Sequence, residues 1–284
     1  MKGLYTAIIT PFDNELNIDY ESLEKLVEFQ IMHKVDGIVV FGTTGEAPTI
    51  EEEEFFKTLS FIKKYKDSID IVVGAGTNST KKTIEKTKKC MDMGFDKFLI
   101  VSPYYNKPNT KGLYEHFKAV LSLGAKVIIY EIPSRTGISI PLEVIKSLKE
   151  EFSENFVALK FSNSDLDLLS RIILEVKGIN ILSGDDNLTL AMMSLGANGV
   201  ISVLSNVFPS EIRELVYDAL EGDFLKAREI HYRMYKLFKL AFIETNPIPI
   251  KYMAYKKNII KTPKLRLPLS ELSESNIKLI DSIL

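Results

Sequence analysis

Tryptophan is absent from this chain of 284 residues, and cysteine occurs once, at Cys90. One thiol cannot form an internal disulfide, and such sparing use fits a reducing compartment. Histidine is nearly as scarce. His33, His116 and His231 all fall in helix-like segments as surface or packing residues, so no histidine cluster is available to hold a metal. Charge of one sign is not concentrated anywhere. The 36 Lys and Arg against 38 Asp and Glu leave a net charge of −2, and the two signs interleave as on solvated helix faces. That pattern argues against a nucleic-acid or membrane-surface partner, because both require clustered positive charge. No apolar run approaches membrane-spanning length, and the opening stretch through Phe12-Asp13 reads as a strand and turn rather than a leader. The expected location is cytoplasmic. Phosphate-binding signatures are also missing. Gly74-Ala75-Gly76 is too short for a dinucleotide fingerprint, and the loop Gly42-Thr43-Thr44-Gly45-Glu46 lacks the Lys-Ser/Thr ending of a nucleotide-binding loop.

Regular alternation is plentiful by contrast. Short apolar, β-rich runs occupy Tyr5–Thr10, Gly37–Phe41, Ile69–Val73, Lys97–Val101, Val127–Tyr130, Phe156–Lys160, Ile179–Leu182 and Gly199–Val203. Amphipathic segments such as Tyr20–His33, Glu51–Lys64, Lys81–Met93 and Pro141–Glu150 separate them. Strands and helices alternating at this spacing make parallel βαβ units, and eight units in this length predict a closed (β/α)8 barrel rather than an open sheet. Thr49 with Glu52 has capping-box spacing, and Pro141 suits a first helical turn. After Gly222 the strand pattern stops. Phe224–Ile243, Ile248–Lys257 and Leu269–Leu284 read as helices, so the expected division is a barrel over 1–222 and a helical extension over 223–284.

In α/β barrels the reactive residues sit at the C-terminal ends of the strands. Reading only those positions gives Gly42–Glu46 after strand two, Ser102-Pro103-Tyr104-Tyr105-Asn106 after strand four, and Tyr130 with Arg135 after strand five. Lys160 ends strand six, Gly184-Asp185-Asp186 follow strand seven, and Ser205-Asn206 follow strand eight. A lysine at the end of an apolar strand has two readings: it reaches to solvent or an acid along its stem, or it is a nucleophile. Burial lowers an amine's pKa and frees a lone pair for attack on a carbonyl, and a tyrosine one strand earlier can move the protons of such a reaction. The Gly42–Glu46 loop offers backbone N–H groups and two hydroxyls to a carboxylate, or else is a tight strand-to-helix turn. Arg135 can clamp a second carboxylate in two-pronged fashion, or is a surface arginine. Cys90 reads as helix packing.

With these residues in place, the chain resembles the dihydrodipicolinate synthase and N-acetylneuraminate lyase superfamily. The resemblance rests on five motifs in order: Gly42–Glu46, Pro103-Tyr104-Tyr105-Asn106-Lys107-Pro108, Pro133-Ser134-Arg135-Thr136-Gly137, Ser183-Gly184-Asp185-Asp186, and Asn246-Pro247-Ile248-Pro249-Ile250-Lys251. It implies that Lys160 forms an imine with pyruvate and that Thr43 and Thr44 hold the pyruvate carboxylate. Tyr130, Thr44 and Tyr105 would form a proton relay, with Tyr105 arriving from a neighbouring subunit. Arg135 would bind the carboxylate of aspartate semialdehyde, while Gly184 and the Ile201 carbonyl shape the pyruvate site. It further implies a place in lysine and diaminopimelate biosynthesis, no cofactor, and a homo-oligomer, expected to be a tetramer built as a dimer of dimers.

The chain departs from the synthase pattern in three places. The usual Lys-Glu-Ala-Ser-Gly-Asp reads Lys160-Phe161-Ser162-Asn163-Ser164-Asp165 here, so no acid follows the lysine. Tyr130 is followed by Glu131, where asparagine is common. Lys82 stands where lysine-inhibited relatives carry a glutamate, and Phe55 replaces a polar residue of some of them, so weak or absent lysine feedback is expected. Rival readings are another pyruvate-dependent aldolase, such as an N-acetylneuraminate lyase or a 2-keto-3-deoxy-sugar aldolase, and a phosphate- or flavin-binding barrel. Arg135 speaks against the first, and Asp185 with Asp186 speaks against the second.

Overall fold

In the computed structural model, which describes residues 1–284, the eight expected strands form a closed barrel in chain order. They are β1 (Gly3–Ala7), β2 (Gly37–Val40), β3 (Asp70–Gly74), β4 (Lys97–Val101), β5 (Lys126–Glu131), β6 (Phe156–Phe161), β7 (Ile181–Ser183) and β8 (Gly199–Ser202). The helices among them are α1 (Tyr20–Met32), α2 (Glu52–Ile62), α3 (Thr80–Asp92), α4 (Thr110–Leu121), α5 (Pro133–Thr136), α6 (Leu142–Glu151), α7 (Leu166–Glu175), α8 (Thr189–Leu195) and α9 (Pro209–Leu220). Beyond Gly222 come α10 (Phe224–Leu240), α11 (Ile248–Lys256) and α12 (Glu274–Asp281). No helix is long and apolar enough to cross a membrane.

Side-chain oxygens start many of the helices by taking backbone N–H groups that have no partner inside the first turn. Asp19 caps α1, Ser79 caps α3, Asn109 caps α4, Asp165 caps α7 and Asp223 caps α10. The expected capping box at Thr49 and Glu52 is displaced by two residues. Glu51 and Glu54 make it instead, because Ala47–Thr49 form a short 3-10 turn in which Thr49 Oγ1 donates to the Glu46 carbonyl. Likewise Pro141 lies at the cap position just before α6 rather than inside its first turn.

Two compact units make up the chain: Met1–Gly3 with Val72–Ile201, and Leu4–Ile71 with Ser202–Leu284. In the first unit β4 to β8 pair in parallel. The register sets Val101 beside Tyr130, Tyr130 beside Lys160, and Lys160 beside Leu182. Both β5 and β6 run one residue further than expected, adding the pair Glu131 and Phe161. Gly199, at φ +149°, lies against the backbone of Gly3, which a β-carbon would strike.

In the second unit β1 is shorter than expected at its C-terminal end. Asn206 takes over there, its Oδ1 accepting from Ile9 N at 3.0 Å and its Nδ2 donating to the Ala7 carbonyl at 2.8 Å. The residues beyond Gly222 belong to this unit. Thr262 Oγ1 donates to the Phe12 carbonyl, and the Arg266 guanidinium binds both oxygens of Glu54 at 2.5 and 2.6 Å.

Candidate active site

Lys160 sits near the end of β6 with 5% of its surface exposed. Its Nζ lies 4.1 Å from the centroid of the Tyr130 ring, and Tyr130 is equally buried. The parallel register makes the two neighbours on one face of the sheet. Lys160 therefore does not run out along its stem to solvent. Its amine rests over an aromatic face, which attracts a cation.

Gly184 lies close beside this lysine. Its N–H donates to the Phe161 carbonyl at 2.8 Å, and a β-carbon there would run into the Ser162 hydroxyl and come within 3.0 Å of Lys160 Cε. Close approach, not backbone twist, is why glycine stands here. Ser162 Oγ is buried and has no hydrogen-bond partner in the chain. Asp185 follows Gly184. Burial pushes its carboxyl up, and the positive charge of Lys160 partly offsets that rise. Ile201 is fully buried within β8. No group of three or more His, Cys, Asp or Glu is placed to hold a metal ion.

Two of the expected residues of this unit are exposed. Arg135 lies on α5, the short helix that follows β5. Tyr105 stands 91% exposed with φ +73°, a left-handed backbone that a bulky side chain rarely adopts. Beside Tyr130, Glu131 is fully buried. Its Oε2 accepts from Ile140 N at 2.9 Å and its Oε1 accepts from Asn163 Nδ2 at 3.2 Å. Burial raises this carboxyl, while the donors from Ile140, Ser139 and Asn163 act to lower it.

The loop with Thr43 and Thr44 belongs to the second unit. Thr44 is buried, and its Oγ1 accepts from Asn246 Nδ2 at 3.0 Å. Glu46, two residues on, adopts φ +54° and forms a fully buried ion pair with Lys251, Nζ to Oε1 2.6 Å. Lys251 also donates to the Lys264 carbonyl at 2.7 Å, and Arg266 N donates to Glu46 Oε2 at 3.1 Å. Burial brings the Lys251 amine down to about 8, with Glu46 pulling the other way. Glu46, Asn246 and Lys251 lie within the motifs noted above, which by themselves point to no task for them. The signal was there in a buried-type motif holding a lysine among Pro and Ile.

Of the other expectations, Cys90 is buried in α3 with its thiol pushed up to about 12 by burial, so it packs and does not react. His116 is buried and packed against Phe117, its Nδ1 2.9 Å from Thr80 Oγ1. Lys82 is exposed on α3, whereas Phe55 is a core residue stacked on Phe41 at 4.7 Å.

The family model for the Dihydrodipicolinate synthetase family matches residues 1–284. This chain belongs to the dihydrodipicolinate synthetase family. It is 46% identical to a 4-hydroxy-tetrahydrodipicolinate synthase of Aquifex aeolicus, covering 97% of this chain and 94% of that one. It is 44% identical to the synthase of Methanocaldococcus jannaschii, covering 100% and 97%. The crystal structure of dihydrodipicolinate synthase from Aquifex aeolicus superposes with a TM-score of 0.96 at 44% identity, covering 100% of this chain and 97% of that chain. Within this dihydrodipicolinate synthetase family member, the buried lysine on a tyrosine face is the feature from which a reaction can be built.

Proposed function

We propose that this chain condenses pyruvate with L-aspartate 4-semialdehyde to give 4-hydroxy-tetrahydrodipicolinate, a step of lysine and diaminopimelate biosynthesis, by a class I aldolase mechanism. The observation that carries the reading is Lys160, buried and held 4.1 Å from the Tyr130 ring centroid, in a chain 46% identical to a synthase over nearly its whole length.

The Lys160 amine, after giving up a proton, attacks the ketone carbon of pyruvate, the oxygen leaves as water, and an imine results. Loss of a methyl proton gives the enamine, which attacks the aldehyde carbon, and the new alkoxide takes up a proton. The amino group of the second substrate then adds to the imine carbon and releases Lys160, closing the ring. Tyr130, Thr44 and Tyr105 move the protons in this scheme. Thr43 and Thr44 hold the pyruvate carboxylate, and Gly184 and the Ile201 carbonyl shape its site. Arg135 takes the carboxylate of aspartate semialdehyde in a bidentate pair. The scheme uses no cofactor.

The active assembly in this proposal is a homotetramer, a dimer of dimers, in which Tyr105 serves a neighbouring subunit. The segment 223–284 serves the 1–222 barrel as an extension, and the enzyme works in the cytoplasm without nucleic-acid or membrane partners. The strong exposure of Tyr105 supports its use across an interface.

Borohydride reduction in the presence of pyruvate tests the first half, with a stable mass increase expected on Lys160. No adduct, or an adduct on another lysine, would overturn the mechanism. Consumption of aspartate semialdehyde in preference to sugar-derived aldehydes tests the second half, and the reverse preference would overturn the substrate assignment.

A further inference from the structure

Two of the sequence departures noted above meet in the structure. Glu131 and Phe161 are register partners on β5 and β6, so the positions where the usual pattern has asparagine and an acid lie side by side. Here the acid is on β5. Side chains alternate along a strand, so Glu131 faces away from the side that carries Tyr130 and Lys160. It therefore does not touch substrate in the proposed reaction.

What it touches is the connection that presents Arg135. Glu131 ends β5 just before that connection, and Ile140, whose N–H its Oε2 accepts at 2.9 Å, lies at the far end. The carboxylate thus closes the base of the loop. Its other oxygen takes Asn163 Nδ2 at 3.2 Å, and Asn163 Nδ2 also lies 3.4 Å from Ser139 Oγ. Asn163 lies two residues past the end of the lysine strand, so one network joins the end of β6 to both ends of the Arg135 loop. Inside the loop, Ile132 O accepts from Arg135 N at 3.1 Å and from Thr136 Oγ1 at 3.0 Å, and Thr136 Oγ1 donates to Ile138 O at 2.8 Å. The arginine is therefore carried on a short closed turn whose anchor is a buried carboxylate with at least two donors. Such a group holds geometry firmly, because removing one acceptor strands buried donors.

We propose that Glu131, together with Asn163, is the positioning residue for Arg135, fixing the guanidinium where the carboxylate of the second substrate is recognised. The assignment rests on the reaction proposed above. In Glu131→Gln one donor, Ile140 N–H or the Asn163 amide, faces an NH2 group instead of an oxygen and the loop base loosens. The KM for aspartate semialdehyde rises about tenfold, the effect expected for losing a charge-assisted bond. Pyruvate imine formation, read by borohydride trapping, stays at the wild-type level.

The decisive comparison repeats the substitution in an Arg135→Ala background. If Glu131 acts through Arg135, Glu131→Gln adds little there. An equal rise in KM in both backgrounds, or equal losses in imine formation and aldehyde use, would overturn the assignment. Should Glu131→Gln fail to fold, Asn163→Ala, at a half-exposed position, carries the same cycle with the same outcomes. Failure of the underlying reaction would instead be visible in the wild-type protein, as imine formation without consumption of aspartate semialdehyde.

Discussion

At Gly184 a missing side chain leaves the space beside the Ser162 hydroxyl and Lys160 Cε. The substitution Gly184→Ala places a β-carbon against the Ser162 hydroxyl and within 3.0 Å of Lys160 Cε. Overpacking of this kind costs about 1–3 kcal/mol, and here one of the displaced groups is the lysine of the proposed imine. We expect Gly184→Ala to slow pyruvate imine formation at least tenfold while the protein stays folded, measured by the rate of borohydride-trapped adduct. Adding Ser162→Ala, which removes a buried hydroxyl with no partner, should recover part of the loss. Wild-type imine formation in Gly184→Ala would show that the lysine has slack the geometry denies it. The Lys160 and Tyr130 pair was legible in the sequence because parallel register fixes which strand-end residues are neighbours. The unpartnered Ser162 was not, since a hydroxyl's hydrogen bonds depend on what the following loop places around it.

At the scale of elements, the buried Lys251–Glu46 pair ties α11 to the loop after β2. Removing one member of a buried pair leaves the other charge uncompensated, at a cost of about 3–5 kcal/mol. Lys251→Met should therefore lower unfolding stability by an amount of that order in denaturant titrations. A change below about 1 kcal/mol would mean that water or rearrangement satisfies Glu46. Strands and helices were readable from apolar runs and periodicity, with ends misplaced where side chains intervene. Asn206 ended β1 early by taking the Ile9 N–H, and the 3-10 turn at Ala47–Thr49 moved the capping box to Glu51 and Glu54. The ties from Asn246 to Thr44 and from Lys251 to Glu46 join positions about two hundred residues apart. No local pattern announces such a partnership, and the same holds for the acid that sits on β5 instead of β6.

For the whole molecule, Tyr105 is the residue whose proposed role reaches beyond one chain. A bulky side chain at φ +73° costs about 1–3 kcal/mol, yet it is held outward with 91% exposure. Asn106 braces that turn, its N–H donating to the Tyr104 carbonyl and its Nδ2 to the Asn78 carbonyl. If the ring completes a neighbour's relay, a Tyr105→Ala subunit keeps a usable Lys160 and a Lys160→Ala subunit keeps a usable Tyr105. Mixing the two weakly active variants under subunit-exchange conditions should restore synthase activity above either parent. No gain after confirmed exchange would place Tyr105 outside the neighbour's site.

The late partners of Glu46 also have a meaning for how the protein is made. On the ribosome the carboxylate of Glu46 emerges early, whereas its partners Lys251 and Arg266 are added 205 and 220 residues later. Until then the loop bearing Thr43 and Thr44 cannot settle into its buried form without an unpaired charge. The loop bearing Thr43 and Thr44 thus reaches its buried form only after Lys251 and Arg266 have been added, so a product stopped before them is a folding intermediate.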